Sequence, residues 1–355
     1  MSAMPTYGPI VIDGRAAVRA EVGGVERWAR EMAARLPALE PDRYVVAAPP
    51  QRLAHRAGHL WEQAVLPVEA ALRRASLVYC PAILAPVAWP RTVVALHDVV
   101  ALAHPEFYSR GYVAWQRTIL PAIARRARRI VTVSEFSRRE ISDQLGVEPE
   151  LIAVVPGGVD ERFSPAADAE RASRALGLAR PYVLTVGTAS GRKNPEALAA
   201  VAGPLAEAGF ELVAAGGTRG YLAGAAGGDR VRRLGYVDEE HLPGLYAGAR
   251  AFVLPSRHEG FGLPCLEAMA AGVPVVASSH GALPETCGEA ALLVDPDDTA
   301  ALAAALLRAA QEGPEHERLR AAGLERAAGF SWNRAARTTN DLLLNVAGGS
   351  APAGQ

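Results

Sequence analysis

The stretch FVLPSRHEGFGLPCLEAMAAGVPVVAS, residues 252–278, places two short apolar runs on either side of a segment with helical signals. FVLP and VPVVAS are continuous apolar runs without polar alternation, the pattern of strands covered on both faces. Between them a loop holds Glu259, Gly260, Phe261 and Gly262, and Pro264 suits the first turn of a helix that carries Glu267. A strand, a helix and a second strand in this order are the repeating unit of a parallel α/β sheet.

The same pattern recurs along the chain. PIVID, RYVVAA, TVVALHD and RIVTVS precede residue 135, and YVLTVG, ELVAAG, RVRRLGYV, AFVLPS, VPVVAS and AALLVD follow residue 181. Two such sets predict two doubly wound, Rossmann-like domains, in line with a length of 355 residues. Between the sets, Pro156, Gly157, Gly158 and Pro165 interrupt both periodicities. The expected division is therefore an N-terminal domain over 1–165 and a C-terminal domain over 166–330. A closing helix over 331–347 is expected to cross back toward the N-terminal domain, ahead of a disordered tail at 348–355. In open α/β sheets, ligands bind beyond the carboxyl ends of the strands, and two such domains facing each other enclose a cleft.

Composition excludes several classes of function. The chain is 50% hydrophobic and 21% charged, which suits a soluble globular protein. A formal net charge of −1 gives no basic footprint for nucleic acid. Three cysteines without metal-ligand spacing fit a reducing compartment. No charged n-region with a following apolar run opens the chain, and no uncharged stretch approaches the ~20 residues of a membrane span, so the expected location is cytoplasmic.

Several positions carry chemistry. The helix GVERWAREMAARL puts Val25, Trp28, Met32 and Leu36 on one face, with Gly23 and Gly24 at its start. Glycines at a helix N-terminus let a phosphate approach bare amides, although a flexible turn reads the same way. Lys193 is the single lysine among 37 basic residues and stands beside Arg192. A lysine is a compact mobile charge and an arginine a planar fork, so the pair suits a site that meets phosphate oxygens. Glu259 and Glu267 lie eight residues apart, one on a loop and one on a helix. Glu267 also reads as a partner of the helix dipole. The DPD of residues 295–297 has a metal-binding spacing, but it precedes a helix that Asp298 or Thr299 caps. The run RRARR, residues 125–129, complements a helix C-terminus or rests on anionic lipid.

Taken together, these residues resemble the retaining nucleotide-sugar glycosyltransferases of family four, in particular the mannosyltransferase-like members. The hallmark of that family, two glutamates separated by seven residues, is EGFGLPCLE here, Glu259 to Glu267. GGVERWARE, ALHDVVALAHPEFY, VSEFSRREI, VVPGGVDERFSP, VGTASGRKN and HGALPETCGEAALLVDPDD resemble further family segments in the same order. The resemblance implies the GT-B fold of two facing Rossmann-like domains. It implies that Arg192 and Lys193 hold the donor diphosphate together with amides of Gly260, Phe261, Gly262 and Leu263 and of Gly23 and Gly24. Glu267 would bind ribose hydroxyls, Glu259 the transferred sugar, and Tyr236 and Val237 the nucleobase, although Tyr236 equally fits core filling. His97, Asp98 and Ser134 would lie on the acceptor side, with His97 beside the transferred sugar. The implied reaction is transfer of a hexose, mannose or a related sugar, with GDP-mannose the expected donor, to a hydroxyl of a glycan, glycolipid or natural product, with no metal and no other cofactor. Its implied setting is the cytoplasm, with peripheral contact at the inner membrane face where the acceptor is lipid-linked. A nucleotide-sugar epimerase of the same architecture and a non-catalytic nucleotide-sugar binding protein are the alternatives.

Overall fold

The computed structural model describes residues 7–54, 58–217 and 230–349. Among these, residues 7–103, 114–157 and 332–349 form one compact unit, and residues 104–113 and 158–331 form a second.

The first unit is built on a six-stranded parallel sheet. Its strands are β1 (Ile10–Asp13), β2 (Tyr44–Ala47), β3 (Leu77–Cys80), β4 (Thr92–Ala95), β5 (Arg129–Thr132) and β6 (Ile152–Val154), in the order β2-β1-β3-β4-β5-β6. Their registers include Ile10 opposite Tyr44 and Val93 opposite Arg129. β1, β3 and β4 are buried along their whole length, which is why their sequences are unbroken apolar runs.

The helix Gly24–Leu39 follows β1 and buries Trp28, Ala29, Met32 and Leu36. Against it packs the last helix of the chain, Trp332–Ala347, with Trp28 and Trp332 edge to face at 5.8 Å between centroids. Tyr44 also donates its hydroxyl to Asn340 Oδ1 at 2.7 Å. The apolar positions of this helix thus close the core of the first unit, with Ala335, Ala336 and Leu343 buried.

The second unit repeats the design. Its strands are β7 (Tyr182–Val186), β8 (Glu211–Ala215), β9 (Val231–Gly235), β10 (Ala251–Leu254), β11 (Val275–Ser278) and β12 (Ala291–Val294), in the order β12-β11-β10-β7-β8-β9. Successive residues feed opposite faces. Leu184 and Phe252 enter one apolar cluster, while Val183 and Val253 enter the other. The strand order turns back between β7 and β10, which pair directly and in parallel, and the crevice beyond such a switch point is where doubly wound sheets bind ligands. The expected disordered tail falls, from residue 350 on, outside the described residues.

At the carboxyl end of β1 the first unit buries a charged trio. Asp13, Arg15 and Glu62 are each at most 2% exposed, and Arg15 Nε lies 2.7 Å from Glu62 Oε2 and 4.0 Å from Asp13 Oδ2. One guanidinium serves two carboxylates. Burial, and then the charge of Asp13, push the Glu62 carboxyl well above the ordinary carboxylate range despite the attraction of Arg15.

Folding therefore retains a proton that the unfolded chain gives up above its ordinary value of 4.5, so stability falls as pH rises from there toward the folded value. Glu62→Gln is expected to remove this slope and to stabilise the protein by about 1 to 2 kcal/mol at pH 8. Denaturant unfolding measured between pH 5 and 9 checks this, and parallel profiles for the two proteins would refute it.

Candidate functional site

The site in the second unit forms where β7 and β10 end. β7 runs into a loop that turns through one short 3₁₀ helix, Gly191–Lys193, and then into the helix Pro195–Glu207. Arg192 and Lys193 are displayed on that turn. β10 runs into the loop that leads through Glu259 to the helix Leu263–Ala270, which starts with Pro264 in its first turn. The two loops are joined by Arg257 N–H donating to the Arg192 carbonyl at 2.9 Å.

Glu259 sits between the two cations. Its Oε2 accepts from Lys193 Nζ at 2.6 Å and from Ser256 Oγ at 3.3 Å, and its Oε1 accepts from Arg192 Nη1 at 3.0 Å. The side chains are 12%, 13% and 18% exposed for Glu259, Lys193 and Arg192, so the trio is largely shielded from water. Burial alone would raise the Glu259 carboxyl, but the charges of Arg192 and Lys193 and their hydrogen bonds hold it at about 2. Burial, followed by the repulsion of Arg192, lowers Lys193 from its ordinary range, while Glu259 opposes the shift. Arg192 Nη1 also donates to the His258 carbonyl at 3.1 Å.

Backbone packing fixes this carboxylate in place. Gly281 has φ +66°, and a Cβ there would lie 2.7 Å from the Glu259 carbonyl oxygen and 2.8 Å from its nitrogen. The next residue, Ala282, donates its N–H to the same carbonyl at 2.8 Å. Gly262 has φ +94°, and a Cβ there would meet Leu283 Cδ2 at 2.5 Å. Both positions need glycine.

The second glutamate is held differently. Glu267, 4% exposed, accepts the Tyr246 hydroxyl at 2.8 Å. A neutral donor therefore orients Glu267, where two cations hold Glu259. Phe261, in the same loop, packs edge to face on Phe330 and offers its carbonyl to Thr286 Oγ1 at 2.5 Å. Leu263 opens the helix that carries Glu267. Beyond β7 and β8 lies a cavity of about 270 Å³, lined among the described residues by Gly187, Ser190, Lys193, Gly216 and Arg233. Tyr236 follows β9 and is 40% exposed, while Val237 is buried in the core.

In the first unit, Gly23 and Gly24 stand at the start of the helix Gly24–Leu39. Gly23 N–H donates to Glu26 Oε2 at 3.1 Å, so this amide is already satisfied within the helix. Gly24 faces open space. His97 follows β4 and is buried, with Nε2 3.0 Å from the Pro81 carbonyl and its ring edge to face on Trp28 at 5.5 Å. A carbonyl only accepts, so Nε2 carries the proton of that bond. Burial lowers the His97 pKa below the ordinary imidazole range and favours the neutral ring. Ser134 caps the helix Glu135–Leu145 by accepting the Ser137 N–H, and Ser137 Oγ donates to the His97 carbonyl at 3.0 Å. Asp98 Oδ1 accepts from Val100 N–H at 3.4 Å.

The structure thus gathers Arg192, Lys193 and Glu259 into one ionic trio, and places Glu267 on the helix that follows. It places Gly23, Gly24, His97, Asp98 and Ser134 at carboxyl ends of first-unit strands. Sequence reasoning missed Ser256 and Tyr246, which reach the two glutamates. Ser256 stands three residues before Glu259 and was open to local inspection, whereas nothing in the sequence pairs Tyr246 with Glu267. The DPD turn is occupied by its own chain: Asp295 Oδ1 accepts from Asp297 N–H at 2.9 Å, and Asp298 caps the helix Thr299–Ala310. In the basic run, Arg126 donates to the Val87 carbonyl at 2.8 Å. No described helix is long and apolar enough to cross a membrane.

Comparison with known proteins meets this geometry from outside. Residues 22–163 match the family model for Glycosyltransferase Family 4, and residues 180–312 match that for Glycosyl transferases group 1. The chain is 35% identical over 271 residues to the O-antigen chain mannosyltransferase B of Escherichia coli, covering 70% of this chain and 69% of that protein. It is 35% identical over 239 residues to the MMP alpha-(1->4)-mannosyltransferase of Mycolicibacterium hassiacum, covering 64% of this chain and 56% of that protein. Among solved structures it resembles sucrose-phosphate synthase from Thermosynechococcus elongatus, with a TM-score of 0.76 at 22% identity over 97% of this chain and all of the other. HepE from Anabaena, solved with UDP and glucose, matches with a TM-score of 0.68 at 18% identity, over 95% of this chain and all of that one. The solved structures bear on the fold, two parallel six-stranded α/β units of the GT-B class, and the sequence relatives bear on descent: the chain belongs to glycosyltransferase family 4.

Proposed function

We propose that the protein is a retaining hexosyltransferase that moves mannose from GDP-mannose to a hydroxyl of a glycan, a glycolipid or a natural product. The observation that carries this reading is the Arg192–Glu259–Lys193 trio at the switch point between β7 and β10. Two shielded cations held by one carboxylate form a socket with one net positive charge, and a diphosphate can take the place of that carboxylate. The names of the two mannosyltransferase relatives support the choice of sugar.

In this mechanism the donor diphosphate takes over Arg192 and Lys193, and the Glu259 carboxylate is released toward the sugar. The bond between the anomeric carbon and the diphosphate oxygen breaks while the acceptor oxygen bonds to the same face. The acceptor proton passes to the departing phosphate oxygen. Negative charge grows on that oxygen as the bond breaks, so fixed cations and loop amides stabilise the transition state more than the ground state. The same cations support a reaction without a metal. Tyr246 keeps Glu267 oriented for ribose hydroxyls, Tyr236 and Val237 flank the base, and Gly260 to Leu263, with Gly23 and Gly24, offer amides. His97, Asp98 and Ser134 serve the acceptor. The working location is the cytoplasm, and the exposed Arg125 and Arg126 suit contact with the inner membrane face where the acceptor is a lipid.

Three measurements test this reading. In a thermal-shift panel of GDP, UDP, dTDP and ADP, GDP is expected to stabilise most, by about 2.7 kcal/mol at 100 times its dissociation constant. Silence toward all four would remove the basis of the proposal, and donor epimerised in the absence of acceptor would favour the epimerase instead. Lys193→Arg is expected to slow transfer at least about tenfold, roughly 1.4 kcal/mol of barrier, because a planar fork replaces a point charge in a narrow site. Glu259→Gln is expected to lower turnover by about 100-fold or more while GDP binds at least as tightly, since the anion that competes for the two cations is gone. Weaker GDP binding in that variant would contradict the exchange of carboxylate for diphosphate.

A further inference from the structure

Asn194 follows the two cations and has a backbone that few side chains accept. Its φ is +54°, in the left-handed region, and it is 1% exposed. Its side chain works in two directions. Oδ1 accepts from Ala197 N–H at 3.3 Å and caps the helix Pro195–Glu207, while Nδ2 donates to the Pro296 carbonyl at 2.7 Å. Pro296 lies in the Asp-Pro-Asp turn after β12, and β10 and β11 separate β12 from β7 in the sheet. A single buried amide thus spans the carboxyl edge of four strands.

A second tie runs parallel to the first. Arg257 donates its N–H to the Arg192 carbonyl and its guanidinium to Asp297 Oδ1 at 3.1 and 3.2 Å. The side chains of that ion pair are 36% and 65% exposed, so it contributes little. The buried amide, whose loss would strand a carbonyl away from water, is the stronger of the two.

We propose that Asn194 is a positioning residue: through Pro296 it braces the Arg192–Lys193 turn against the loop after β12, so that both cations stay in place when a diphosphate replaces Glu259. The Asp-Pro-Asp turn, with its metal-like spacing, then serves as the far abutment of this brace. The need for one follows from the site. Arg192 and Lys193 repel each other, and burial works against the Lys193 ammonium, so a loose turn would release the lysine to water. Preorganised charge stabilises a transition state because it needs no rearrangement during the reaction. The inference rests on the diphosphate reading of these cations.

The chain's single lysine supplies a probe that needs no ligand. Labelling with [ε-¹³C]lysine gives one NMR correlation, from Lys193. Two variants are compared with the wild-type protein. Asn194→Gly tolerates the left-handed backbone and lacks both side-chain bonds. Asn194→Asp keeps the cap and replaces the donor to Pro296 with an acceptor. In both, the lysine correlation is expected to shift, and inorganic pyrophosphate, titrated by calorimetry, to bind at least tenfold more weakly. Turnover should fall more than KM rises, while the melting temperature stays within a few degrees. An unchanged lysine correlation and unchanged pyrophosphate affinity in Asn194→Asp would overturn the brace. Failure of the wild-type protein to bind pyrophosphate would instead count against the diphosphate reading, and the lysine correlation would still decide the brace.

Discussion

The second unit is organised around one shielded carboxylate that two cations need. Arg192 and Lys193 come from the loop after β7, and Glu259 from the loop after β10. Removing two like charges from water is costly, and an opposite charge at 2.6 to 3.0 Å offsets that cost only while the geometry holds. Every feature around Glu259 serves that geometry: Ser256 on the same oxygen as Lys193, the Gly281 backbone against its main chain, and the Arg257 amide on Arg192. The stability of the site and its charge pairing are therefore a single property.

The two glutamates show how environment divides like side chains. Glu259 is fully ionised between cations, whereas Glu267 faces a phenol hydroxyl on a neighbouring helix. A carboxylate paired with charge is suited to exchange partners when another anion arrives. A carboxylate that accepts from a neutral hydroxyl gains a fixed orientation from the bond. Seven residues of chain separate these roles, one on a loop and one on a helix.

Much of this was legible in the sequence, for physical reasons. Ten of the twelve strands stand out because strands of a parallel sheet are rich in apolar residues, although the edge strand β9 carries Arg232 and Arg233. β3 is hidden because the apolar run LVYC continues into a loop, PAILAPVAW, that is equally apolar, and β6 because three residues leave no pattern. The members of the ionic trio stood out through the spacing of the glutamates and the rarity of lysine, but their pairing with one another was not read from the sequence. The contacts that hold the trio were not legible either. Asn194 meets Pro296 across 102 residues, and Tyr246 meets Glu267 across 21, and no local period encodes a tertiary hydrogen bond. Asp13, Arg15 and Glu62 were hidden for a related reason: charged residues read as surface until the fold buries them together.

The helix Trp332–Ala347 has a bearing on biosynthesis. It completes the apolar layer over Trp28 in the first unit, yet it is translated after the whole of the second. Chains fold from the N-terminus as they emerge from the ribosome, so the first unit waits with one apolar face uncovered until the second unit and this helix have been made. The second unit has no such debt to a later segment. The apolar face over Trp28 is therefore a surface of the first unit that stays open until a late stage of synthesis.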